Sequence, residues 1–127
     1  MYPSVVCICA GFTWVDGCER EPAKANHMNC YGPAVVAAAA AVVGAKVVWY
    51  STDYVFDGGV DSNGGNGKAG PYGEADKPAP LNVYGSSKLA GESAVLKADP
   101  TAIVIRTNVV FGPEVTLHSF TRSQSPS

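Results

Sequence analysis

Apolar positions in this chain come in blocks separated by polar stretches. "SVVCICA" (Ser4 to Ala10) is a short β-rich apolar run, as expected of a strand buried on both faces of a sheet. "DGCEREP" (Asp16 to Pro22) reads as a polar turn. From Pro22 to Val43 the pattern is helical and closes at Gly44, a candidate C-cap. "AKVVWYST" (Ala45 to Thr52) is a second buried strand. Asp57 to Pro80 is polar and rich in Gly, Asn, Asp and Pro, too long for a passive connection. Asn82 is a candidate N-cap for a helix that runs to about Ala98 and ends before Asp99-Pro100. "TAIVIRTNVVFG" (Thr101 to Gly112) supplies a third buried strand and its exit loop.

These patterns predict strands over Val5 to Cys9, Lys46 to Ser51 and Ala102 to Arg106, with helices over Pro22 to Val43 and Asn82 to Lys97. The order β-α-β-loop-α-β predicts an α/β fold with a parallel sheet and right-handed crossovers. This is half of a Rossmann-type doubly wound sheet, in which ligands gather at the carboxyl ends of the strands. Gly59 to Gly70 is expected to be mobile, because its Gly, Asn and Ser content leaves little to bury. Val115 to Ser127 has no periodicity and is expected to be a disordered tail after a single domain over residues 1–114.

Composition narrows the function classes. A net charge of −2 over 127 residues gives no electrostatic footprint for nucleic acid or for an anionic membrane. The longest apolar run, "PAVVAAAAAVVGA", is too short to span a bilayer. "MYPSVVCICAGFTW" lacks the basic region and cleavage site of a signal peptide, and a chain of this size without a disulfide spacing pattern reads as cytoplasmic. Cys7, Cys9, Cys18 and Cys30 form no CxxC pair and read as small thiols; the spacing of Cys18, His27 and Cys30 fits no common zinc site, so no metal is expected.

The chemistry-bearing pattern is "PLNVYGSSKLAGE" (Pro80 to Glu92), which sets Tyr84 and Lys88 at i and i+4 on one helix face. An ammonium beside a phenol lowers the phenol's pKa and fits it for general acid–base work. The same spacing also serves a buried tyrosine with a solvated lysine. Thr52 ends the preceding strand, where its hydroxyl can hold a substrate oxygen beside Tyr84 or bond to backbone. Pro33 has no N–H, so the carbonyl of Asn29 loses its helical partner. A freed carbonyl there can hold an ordered water, and a simple proline kink is the other reading.

"STDYVFDG" (Ser51 to Gly58), "PYGEADKPAPLNVYGSSKLAGE" (Pro71 to Glu92) and "VIRTNVVFG" (Val104 to Gly112), in that order, resemble the extended short-chain dehydrogenase/reductase family. Within it they are most similar to the dTDP-4-dehydrorhamnose reductase branch. "AGFTWVDGCEREP" (Ala10 to Pro22) and "NHMNCYGP" (Asn26 to Pro33) extend the resemblance, which runs from about Pro3 to Glu114. It implies a nicotinamide cofactor, NADPH or NADH, and a nucleotide-sugar ketone as substrate. It implies that Tyr84 donates the proton, that Lys88 binds the nicotinamide ribose and tunes Tyr84, and that Thr52 and Asp53 contact substrate. It further implies that Cys9, Ala10 and Gly11 lie against the cofactor and that Asn29 belongs to a proton relay.

Three features depart from the family pattern. No Gly-rich strand–turn–helix precedes the first strand. "GNGKAG" (Gly65 to Gly70) fits GxGxxG by letter but lacks that context. The region after Glu114 does not resemble the family's substrate region, so the chain reads as a fragment truncated at both ends and inactive alone. Val109 stands where the branch carries an aromatic residue against the sugar. The branch also includes the regulatory beta subunit of methionine adenosyltransferase, which makes a non-catalytic partner of that enzyme the alternative reading.

Overall fold

The computed structural model describes residues 1–59 and 71–110. Three strands, β1 (Val5–Ile8), β2 (Lys46–Thr52) and β3 (Ile103–Thr107), form one sheet in the order β1-β2-β3. Both pairings are parallel, with Val6 opposite Val47 and Trp49 opposite Val104. The carboxyl ends of all three strands therefore share one edge, and the expected α/β sheet is the observed one. Each strand ends within a residue of its expected bounds.

Four α-helices accompany the sheet: α1 (Val15–Arg20), α2 (Pro22–Asn26), α3 (Gly32–Val42) and α4 (Val83–Ala98). The polar stretch read as a turn is in fact α1. It is short, and Gly17 masks its helical pattern. Glycine is required there because a Cβ would lie 2.4 Å from the Trp14 ring. The single helix expected over Pro22 to Val43 is divided by a π-helical turn at His27–Tyr31, where the Gly32 N–H reaches back to the His27 carbonyl. Pro33 explains the division, since it offers no N–H to continue α-helical bonding. The helix ends at Val42, and Gly44 follows with φ +72°, a conformation that favours glycine.

The core lies between one face of the sheet and α3 with α4. Ile8, Val47 and Trp49 pack against Ala37, Ala40 and Val95, with Val6, Ala98 and Val104 at the margin. The small alanines of α3 let its axis approach the sheet. Trp49 is completely buried. At roughly 200 Å² of side chain and ~25 cal/mol per Å², its burial contributes about 5 kcal/mol, an upper estimate.

The expectation of strands buried on both faces is corrected. Val5, Cys7, Tyr50, Ile103 and Ile105 alternate onto the opposite face and are exposed. Among the described residues, helices cover only one side of the sheet. The insertion is anchored at both of its described ends. The Gly59 N–H donates to Asp57 Oδ1 at 3.0 Å and to the Tyr72 hydroxyl at 2.8 Å, and Phe56 stacks on Tyr72 at 4.3 Å. The rest of the segment expected to be mobile, the whole "GNGKAG" stretch and the tail expected to be disordered lie outside the described residues. No helix among the described residues is long and apolar enough to cross a membrane.

Candidate active site

The carboxyl edge of the sheet brings the predicted residues together from three directions. β1 delivers Cys9, Ala10 and Gly11 just past its end; Cys9 and Ala10 are exposed. β2 ends at Thr52, which is 4% exposed, and Asp53 follows in a 3-10 turn (Asp53–Val55). The first turn of α4 carries Tyr84 and its second Lys88.

The start of α4 is fixed by side chains. The Gly85 N–H donates to Asn82 Oδ1 at 2.7 Å, so Asn82 is the N-cap that its type and place predict. Glu19 of α1 accepts from the Val83 N–H at 2.7 Å, putting a carboxylate at the positive end of the helix. Gly85 lets α4 meet the 3-10 turn, because a Cβ there would lie 2.2 Å from the Tyr54 carbonyl oxygen. Tyr84 then packs edge-on against Tyr54, with ring centroids 5.5 Å apart.

Thr52 bonds to backbone, one of the two readings its position allows. Its hydroxyl accepts from the Tyr54 N–H and donates to Asp53 Oδ1, each at 3.2 Å. The Thr52 side chain also lies near enough to the Tyr84 phenol to draw the phenol's pKa down. Burial outweighs that effect, and the phenol titrates above its ordinary value. The expectation that Lys88 lowers the Tyr84 pKa is therefore not met in this structure. Lys88 is 5% exposed and turns inward, donating to the Tyr50 carbonyl at 2.5 Å and lying 4.2 Å from the centre of the Trp49 ring. Burial brings its own pKa down to about 8, against a smaller opposing pull from Glu92.

Asn29 sits in the π turn and is completely buried. Its amide accepts from the Phe12 N–H at 2.7 Å and donates to the Phe12 carbonyl and to Ser87 Oγ, both at 3.0 Å. Ser87 in turn donates to the Tyr84 carbonyl at 2.8 Å. One side chain thus joins the loop after β1 to the turn of α4 that carries Tyr84. The Asn29 carbonyl faces Gly91, where a Cβ would lie only 2.1 Å from it.

Sequence reasoning missed the pin beneath this site. Ser51 Oγ donates to Glu92 Oε1 at 2.5 Å, and Arg106 of β3 grips the same carboxylate through Nε at 2.9 Å and Nη2 at 2.6 Å. Glu92 lies one turn beyond Lys88 and Ser51 lies next to Thr52, so adjacency was the available signal. A cleft of about 770 Å³ opens beside the site, walled by Asp53, Phe56, Tyr72, Leu81, Arg106 and Asn108. Asp53 is its link to the site; Thr52, Tyr84 and Val109 do not line it, and Val109 is 61% exposed.

The chain resembles known proteins over most of its length. A dTDP-4-dehydrorhamnose reductase of Mycobacterium tuberculosis is 49% identical over 107 residues, covering 84% of this chain and 34% of that protein. The methionine adenosyltransferase 2 subunit beta of Pongo abelii is 40% identical over 110 residues, covering 87% of this chain and 30% of that protein. A crystal structure of the dTDP-4-dehydrorhamnose reductase of Bacillus anthracis in complex with NADP superposes with a TM-score of 0.74 at 40% identity, covering 84% of this chain and 35% of that one. The chain thus spans about one third of the length of these relatives. The family model for the RmlD substrate binding domain matches residues 1–122, into the stretch expected to be an unrelated tail, and the chain belongs to that family.

Proposed function

We propose that this chain is the catalytic segment of an NAD(P)H-dependent reductase acting on a 4-keto nucleotide sugar, of the dTDP-4-dehydrorhamnose class. The observation that carries the reading is the juxtaposition of Thr52 with a phenol held protonated by burial, at the carboxyl edge of the sheet. The 49% identity to a dTDP-4-dehydrorhamnose reductase supports the substrate class. The four cysteines are free thiols, in keeping with a reducing compartment such as the cytoplasm.

The residues present fit the nicotinamide end of a dinucleotide. Cys9 and Ala10 leave exposed backbone beyond β1, and Lys88 supplies an ammonium between β1's neighbour and α4. When bound, the cofactor supplies a hydride to the ketone carbon. Thr52 orients the ketone oxygen by turning its single hydroxyl hydrogen from Asp53 Oδ1 toward that oxygen. Tyr84 gives its proton to the oxygen as the C=O bond becomes C–OH, and its raised pKa keeps that proton available at neutral pH. Lys88 is the ammonium that would hold the ribose. Asn29 keeps the Tyr84 turn in register through Ser87, so a relay role for it rests on its backbone carbonyl. Val109 follows β3 and is exposed, and it offers the sugar no aromatic contact.

A chimera that takes the remaining two thirds from the Mycobacterium tuberculosis relative tests the reading. Oxidation of NADPH dependent on dTDP-4-dehydrorhamnose is the expected result, and a folded chimera without it contradicts the proposal. The 40% identity to a methionine adenosyltransferase beta subunit favours one rival, a non-catalytic partner of that enzyme. Capture of methionine adenosyltransferase by an inactive chimera would select it.

A further inference from the structure

We propose that Trp49 is a positioning residue for Lys88: the face of its indole seats the lysine ammonium between β2 and α4. The proposal rests on the reading of Lys88 as the site's cofactor-side cation. A buried ammonium needs compensation for the water it loses. Glu92 is the charged group that acts on Lys88, and it is already held by Arg106 from β3 and by Ser51. The neighbouring elements offer Cys18 of α1, whose thiol burial keeps protonated, and the neutral amide of Asn29. Tyr84, one turn earlier, is a protonated phenol. The compensation left is the Tyr50 carbonyl at 2.5 Å and the Trp49 ring, whose centre lies 4.2 Å from Nζ. A desolvated ammonium over an indole is the strong form of this attraction.

Two observations say that the ring is kept for its face. Trp49 is completely buried, yet among the described residues its indole N–H has no hydrogen-bond partner, a cost that a phenylalanine or leucine would avoid. Gly91 also clears space for the ring, since a Cβ there would lie 2.6 Å from Trp49 Cη2. The helix that carries Lys88 is thus cut away where the indole passes beneath it.

The test uses the 127-residue chain with Trp14→Phe, which leaves Trp49 as the remaining tryptophan. Indole emission is followed from pH 6 to 9.5 beside NMR of labelled lysine side chains. The emission of Trp49 should titrate with the same midpoint as Lys88, and the inflection should vanish in Lys88→Met. Trp49→Leu should weaken proton binding by Lys88 about tenfold, a shift of about one pH unit. Trp49→Phe, which keeps a weaker aromatic face, should fall between the two and serves if the leucine variant does not fold. Emission that stays flat while Lys88 titrates would overturn the proposal, as would an inflection that persists in Lys88→Met. A Lys88 midpoint unchanged in Trp49→Phe or Trp49→Leu would overturn it too. None of these readouts uses turnover, so an inactive chimera would sink the reductase reading and leave this one standing.

Discussion

Tyr84 and Lys88 sit one helical turn apart, yet their side chains answer to different surroundings. The phenol stays near Thr52 and keeps its proton, whereas the ammonium turns beneath α4 and is driven toward neutrality. The i, i+4 spacing, the place of Thr52 at a strand end and the capping role of Asn82 were all legible in the sequence. The direction of the Tyr84 shift was not, because it depends on which way a four-carbon side chain points. The sign of the Lys88 effect on stability follows from linkage. Its folded pKa of about 8 lies below the ordinary lysine value, so between those values the unfolded chain binds more protons and stability rises with pH. The cost of burying the charge is therefore complete below pH 8 and is relieved as pH climbs toward 10. In urea unfolding, wild type should gain roughly 2 kcal/mol relative to Lys88→Met between pH 7 and pH 10. A constant difference would mean that Lys88 is not titrating in the fold.

At the scale of elements, what matters is how α4 is seated on the sheet. Strand order, parallel pairing and the extent of α4 could be read from apolar runs and from the breaks at Asp99-Pro100 and Gly44. The π turn was half legible: Pro33 pointed to a disturbed carbonyl at Asn29, but not to an extra residue in the turn. Helix α1 was hidden because Gly17 is there for close packing against Trp14, a tertiary reason that local propensity does not carry. Gly91 is a similar case. Alanine there gains about 1 kcal/mol of helix propensity but sets a Cβ 2.1 Å from the Asn29 carbonyl oxygen. Gly91→Ala should lose about 2 kcal/mol or more in chemical denaturation, and a neutral result would mean that α4 can move off the π turn without cost. Glu92→Gln should cost about 3 kcal/mol, since it leaves Arg106 without its carboxylate beside a partly buried strand end. Little change in unfolding midpoint would show that water replaces the pair.

The whole molecule is a one-sided sheet over its described residues. Cys7, Ile103 and Ile105 lie on a face without a helical cover. The apolar content of the strands suggested cover on both sides; which side is covered depends on residues that pack there, and the pattern of a strand does not state whether they are present. Exposed apolar surface of this kind binds hydrophobic dyes. The 127-residue chain should enhance the fluorescence of such a dye, and the chimera with the remaining two thirds of a relative should suppress it; equal signals would mean that the face is covered by other means. The central claim is that Tyr84 is the proton source of a ketone reduction. It is tested most directly by steady-state NADPH oxidation in that chimera with Tyr84→Phe, a change that keeps the ring against Tyr54 and removes only the hydroxyl. Turnover should fall by roughly 10²-fold or more while the unfolding midpoint stays near that of the parent. Near-full turnover in the phenylalanine variant would contradict the claim.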